Sequence, residues 1–337
     1  AGNPATQATK TVTKNAALPT LEIDDPLMVD NKVNDAEKTA VVISGTSNAE
    51  NSQAVTLTIT DGSNPPLTFS PTVTGGVWTY TADISGLVDG NITITADVTN
   101  QIGNDAAQAT IILVKDAILP TLGIDATLMI DNIVNDAEKT AVVISGTSNA
   151  ENSETVSLTI TDGVVTPINA TATVTSGSWQ TPVIDISGMA DGNIAITADV
   201  FDLADNPATQ ATKTVTKDAT LPTLAIDDPL MTDNIVNNTE KSAVVISGTT
   251  NAEDGQIVTL IITDGSTPPI SITANPTVTG GVWTYTANMS LWADDNITIT
   301  ADVFDLAVNP ATQATRTLVK DIVAPTLAND ATLMTDN

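Results

Sequence analysis

Thr39–Ser52 reads TAVVISGTSNAENS, and the same run recurs unchanged as Thr140–Ser153 and, with substitutions, from Ser242. Within and around it the polarity period is two. Val41-Val42-Ile43, then Val55-Thr56-Leu57-Thr58-Ile59, then Ile92-Thr93-Ile94-Thr95-Ala96 are β-branched and polar by turns, as half-buried strands are. SNAEN, TDGSNPP, TGG, SGLVDG and NQIGN separate the runs and supply turn-forming residues. Seven strands of modest length are expected per repeat, beginning in the first at Pro19, Thr39, Ala54, Leu67, Val77, Asn91 and Ala106. One helical turn is expected at Asn34–Lys38. Seven short strands in about 100 residues predict an immunoglobulin-like sandwich.

The repeat is the size of a small domain, not of a solenoid turn. Glu37, Glu138 and Glu240 recur at spacings of 101 and 102, Trp78, Trp179 and Trp283 at 101 and 104. Full repeats are therefore expected at 17–116, 117–218 and 219–321. Asn3–Lys14 is identical to Asn206–Lys217, so 1–16 reads as the last strand of a preceding repeat. Asp330–Asn337 nearly repeats Asp125–Asn132, so 322–337 reads as the start of a following one. The single tryptophan near the fifth strand of each repeat is the expected core plug.

Composition excludes much chemistry. The 337 residues carry 40 acidic and 11 basic side chains, a net charge of -29, which argues against nucleic acid and anionic membranes as partners. There is no cysteine and no histidine, which removes disulfides, Ser-His-Asp triads and most zinc sites. No apolar run is long enough to span a bilayer, and the first residues show no basic-then-apolar signal. No enzyme is expected.

DGNITITADVTNQIGN running into VKDAILPTL, and Asp131–Thr147 (DNIVNDAEKTAVVISGT), resemble the bacterial Ig-like tandem repeats of giant surface adhesins and biofilm-associated proteins. The likeness covers all three repeats and both end fragments. There are departures. The family's tyrosine on the sixth strand is Ile92, Ile194 or Ile297 here, its D-x-A-G-N turn reads NQIGN, DLADN and DLAVN, and Asn15 replaces the linker aspartate in the first copy. The resemblance implies all-β sandwiches strung as an extended rod, outside the cell at its surface, in a stalk that holds a distal binding domain away from the cell. The implied partners are neighbouring repeats, with cell-surface or biofilm-matrix contacts made through other regions.

Strand order places acidic turns at the domain ends. The lower end of the first repeat carries Asp30, Asp35, Glu37, Asp61, Asp89 and Asp116, and the upper end of the second offers Glu151, Asp202 and Asp205. Such crowding is unfavourable unless water screens it or a hard cation neutralises it. The carboxylates then either ligate Ca²⁺ or merely cap solvated turns. The resemblance implies calcium at the junctions. The sharpest candidates are Asp131, Asn135 and Glu138, with Asp30, Asn34 and Glu37, and Asp233, Asn237 and Glu240, at matching spacing. Asp162, Asp191, Asp218, Asp264, Asp305 and Asp321 complete the candidate ligands. Two further readings are a glycan- or protein-binding module, for which Trp292 is the one unusual and exposed candidate, and a self-associating filament.

Overall fold

The computed structural model describes residues 2–12, 14 and 16–327. Asn15 and residues 328–337, the greater part of the expected following strand, lie outside the described residues. Residues 2–12, expected as a last strand, have no regular secondary structure and are exposed.

The rest is all β, with twenty-four strands in six sheets among the described residues. In the first sandwich β1 (Leu21–Ile23), β3 (Val41–Ser47) and β6 (Val77–Ala82) form one sheet in the order β1-β3-β6. Facing it, β2 (Lys32–Val33), β4 (Val55–Thr60), β5 (Leu67–Phe69), β7 (Gly90–Val98) and β8 (Ala109–Lys115) form a second, in the order β2-β8-β7-β4-β5. The pattern returns as β9–β16 (Leu122–Lys217 overall) and β17–β24 (Leu224–Lys320 overall), so the chain is a tandem array of Ig-like sandwiches.

Each sandwich therefore has eight strands and not seven. The expected first strand is split: β1 pairs antiparallel with β3, whereas β2 crosses to the other sheet and pairs parallel with β8. Between them Met28, Val29 and Asn31 take positive φ, a conformation no strand can hold. Leu27, almost fully buried, anchors the crossing.

Period two sets the cores. In β3 Val41 and Ile43 are buried while Val42 faces solvent, and in β7 Ile92, Ile94 and Ala96 point inward. Three apolar clusters result, running from Leu21 to Leu113, from Leu128 to Val215 and from Ile226 to Leu318. Trp78, Trp179 and Trp283 are buried in them as plugs, each at 2% exposure or less. Each lies opposite a glycine: Gly45 pairs with Trp78, Gly146 with Trp179, and Gly248 with Trp283. A Cβ on Gly45 would stand 2.0 Å from the Glu22 carbonyl oxygen and 2.7 Å from Trp78 Cζ2. Gly146 and Gly248 are hemmed in the same way.

No helix of the described residues is long and apolar enough to cross a membrane.

Candidate junction site

The expected helical turn is a single capped turn. Asn135 Oδ1 accepts the N–H groups of Ala137 (3.0 Å) and Glu138 (3.1 Å), and Glu138 Oε2 accepts the Asn135 N–H at 3.2 Å. That reciprocal arrangement is a capping box. Asn34 with Glu37, and Asn237 with Glu240, repeat it. Asp30, Asp131 and Asp233 each accept the N–H two residues on, from Lys32, Ile133 and Ile235. The sharpest candidate ligands are thus already engaged with their own backbone.

The turn between β4 and β5 behaves likewise. Asp61 accepts N–H groups from Ser63, Asn64 and Val88, which tie it to the turn before β7. Those bonds hold its carboxyl far below the ordinary aspartate range. In Asp162 the N–H groups of Ala190, Val165 and Val164 bring the carboxyl down to about 2. Asp264, held by Ser266 and Ile270, is lowered as well.

Asp89 and Asp191 have a partner that the sequence reading missed. Lys115 and Lys217, the last residues of β8 and of β16 (Ala211–Lys217), are buried and pair with them, as Lys320 pairs with Asp294 at 2.9 Å. The signal was present: Leu113 and Lys115, Val215 and Lys217, and Leu318 and Lys320 are two apart, so the lysine falls on the inward face of its strand. Burial alone would raise the Asp89 carboxyl, but the Lys115 ammonium and the Ala117 N–H outweigh it, so the net shift is downward.

The facing ends of neighbouring sandwiches do meet. Asn206, at 1% exposure, is the centre of the first junction. Its Oδ1 accepts the Asp35 N–H from the sandwich above at 2.7 Å, and its Nδ2 donates to the Asp116 carbonyl at 2.9 Å and to Asp202 Oδ2 at 2.9 Å. Asn309 repeats the arrangement at the second junction with Asp136 (2.7 Å), Asp218 (2.9 Å) and Asp305 (3.0 Å). Asp202 and Asp305 are buried and accept the N–H groups of their own turns. Neither asparagine was among the expected site residues, although both close the DLADN and DLAVN turns.

Three expected acids converge beside this clasp. Asp116, Glu151 and Asp202, with Asn149, line a cavity of about 170 Å³. Glu151 Oε2 accepts the Leu203 N–H and Asp116 Oδ1 the Ile118 N–H, so one oxygen of each remains without a hydrogen bond. At the second junction Glu253 and Asp218 stand in the same places. Burial raises the Asp218 carboxyl, and the charges of Asp305, Asp191 and Glu253 raise it further against the Thr220 N–H. Asp30, Glu37 and Asp205 line a second cavity at the first junction, of about 240 Å³. Asp321 accepts the Val323 N–H in the last linker. Asp233, Asn237, Glu240 and Asp264 stay within their own sandwich.

The donors suit a hard cation, since all are carboxylate, carbonyl or amide oxygen. Their spacing is open. Among the described residues no group of three or more carboxylates is close enough to hold a metal ion as it stands.

Trp292 is not exposed. It fills the place that Leu87 and Met189 take in the other cores, at 7% exposure, and its carbonyl accepts from Lys320 Nζ. A larger apolar side chain at a core position common to the three sandwiches explains it, and it offers no binding surface.

Clasped Ig-like sandwiches in series define a tandem-repeat array. No protein-family model and no curated protein sequence matches the chain. Among solved structures it is similar to one from a 1.5-MDa bacterial ice-binding adhesin (24% identity over 92% of this chain and 100% of that one, TM-score 0.44). It is also similar to a Ca²⁺-stabilised adhesin with which an Antarctic bacterium reaches out and binds ice (24% identity, 93% and 77%, TM-score 0.47). A third is a tetra-tandem repeat in the extending region of a large adhesion protein (28% identity, 90% and 74%, TM-score 0.31). Two of these neighbours come from bacterial adhesins and one from a large adhesion protein.

Proposed function

We propose that this chain is a stalk segment of a large bacterial adhesin, working outside the cell at its surface. Its units are residues 17–116, 117–218 and 219–321, and their task is reach. One observation carries the reading: both junctions use the same buried asparagine, bonded to the same two backbone positions of the preceding sandwich. A clasp repeated at each junction holds neighbours at a similar angle, and a similar angle repeated along a chain gives an extended array in place of a flexible string. Proline at each linker, Pro120 and Pro222, restricts it further. At about 40 Å per sandwich, from a longest strand of eight or nine residues with the turns at its ends, three units reach about 120 Å.

Calcium completes the mechanism. Asp116 with Glu151, and Asp218 with Glu253, would each give one unengaged carboxylate oxygen to an ion, with Asn149 or Asn251 and carbonyl oxygens nearby in sequence. Neutralised, the acids could draw together and lock the clasp. The ion's role is structural. The receptor and matrix contacts of such a stalk lie in other regions of the parent protein.

Thermal melts in excess chelator and in millimolar Ca²⁺, with small-angle scattering on the same samples, test both parts. The expected result is a melt several degrees higher in Ca²⁺, by ligand linkage to the folded state, with a maximum dimension near the rod length. Identical melts would remove calcium from the account. A compact or broadly flexible particle in both would remove the stalk.

A further inference from the structure

The asparagine clasp binds backbone groups of the preceding sandwich and is therefore blind to its side chains. Beside it, the two junctions differ in one matched pair. Lys32 opens β2 opposite Val114, and Ile133 holds the same place in β10 (Ile133–Val134) opposite Thr216. On the other side, Asp205 and Val308 occupy one turn position. Their φ angles are 64° and 66°, and their N–H groups donate to the Asp202 and Asp305 carbonyls at 3.0 and 3.1 Å.

At the first junction Lys32 Nζ donates to the Leu203 carbonyl at 2.5 Å and shares with Asp205 the cavity that Asp30 and Glu37 also line. The carboxylate nearest the ammonium is Asp30 of its own sandwich, at 3.9 Å, and Asp205 faces it across the cavity from the next sandwich. At the second junction both charges are replaced together, lysine by isoleucine and aspartate by valine. Ile133 is half-buried there, whereas Ile235, at the same place in the third sandwich, is 42% exposed. Val308 is a β-branched residue at positive φ, where Gly103 stands in the first sandwich.

We infer that this pair makes each repeat select its own successor: Lys32 requires the aspartate-bearing turn of the second sandwich, and Ile133 the valine-bearing turn of the third. Exchanging the order penalises the contact. Ile133 beside Asp205 would place that acid near Asp131 and Glu138 without the lysine, and Lys32 beside Val308 would keep Asp30 but lose the acid that faces it across the junction. Discrimination by an unpaired charge needs little binding energy of its own. Near-identical neighbours need such a device, because otherwise any end docks on any other during folding.

The inference uses no metal, so its test runs on the full chain in excess chelator. Lys32→Ile, Asp205→Val and the double variant are compared by NMR amide exchange at Asp35, whose N–H enters the first clasp, and at Asp136, whose N–H enters the second. Each single variant is expected to speed Asp35 exchange about three- to fivefold, the range of a modest charge pair, and the double to return close to the parent rate. Asp136 should not change. Unchanged rates in the singles, a double equal to the product of the singles, or a change shared by Asp136 would each overturn the inference. Failure of the stalk reading would appear in scattering and leave these rates as they are.

Discussion

At the scale of single residues, glycine and lysine positions define these sandwiches as much as the tryptophans do. Gly45, Gly146 and Gly248 lie under the indole of the neighbouring strand and against a carbonyl of β1 or its counterpart. Their backbone is ordinary extended chain, so the constraint is space and not φ. Gly45→Ala is expected to destabilise the first sandwich by about 3 kcal/mol, because the added methyl meets a backbone oxygen that has nowhere to move. Denaturant unfolding followed by Trp fluorescence checks this, and a loss below about 1 kcal/mol would mean that the strands part easily. Lys115, Lys217 and Lys320 place a cation at the end of each core beside an aspartate. A buried amine is tolerated only when paired, so these lysines and Asp89, Asp191 and Asp294 act as units.

At the scale of elements, two local events shape the array. The first is the capped turn after β10, the counterpart of the one after β2. Its asparagine and glutamate have the spacing of a ligand pair and the bonding of a capping box. Asn135→Ala should therefore cost the second sandwich about 1 kcal/mol in chelator, as loss of a helix cap does. A penalty seen only in the presence of Ca²⁺ would instead make the turn an ion site. The second event is a bulge. Between Trp179 and Ile186 the second repeat holds one residue more than lies between Trp78 and Ile84. The strand after Trp179 accordingly stops at Gln180, Thr181 turns inward to bond Ile144, and pairing resumes only at the bridge of Val142 with Ile184. Pro182, which has no N–H to give a ladder, sits in the gap.

At the scale of the whole molecule, charge dominates. A net charge of -29 is carried largely by turn carboxylates. Asp61, Asp83, Asp89, Asp162, Asp185, Asp191, Asp228, Asp264 and Asp294 all have folded values below the ordinary one. A group depressed in the folded state stabilises it above the unfolded value, near 4, and loses that contribution as pH falls through the folded value. Asp218, raised, acts in the opposite sense: its protonation relieves the second junction. Nine against one, the chain should melt at a steady temperature from about pH 7 to 5 and progressively lower from about pH 4 to 2. A calorimetric series in chelator measures this, and a melt that holds or rises at pH 3 would mean that repulsion among the acids outweighs their hydrogen bonds.

The sequence alone determined the all-β class, the period of the array and the tryptophan plugs, because alternation of period two, punctuated turns and near-exact recurrence are local signals that survive without any partner. It also brought Asp116, Glu151, Asp202 and Asp205 to one junction, since strand order assigns turns to ends. Only the tertiary structure decided the rest. Whether Asp89 stands free or beside Lys115, and whether Trp292 points out or in, depend on neighbours distant in sequence. So does the split of the first strand between two sheets. The clasping asparagines were invisible for the same reason: their partners are backbone groups about 90 to 170 residues away, and backbone groups leave no mark on residue identity.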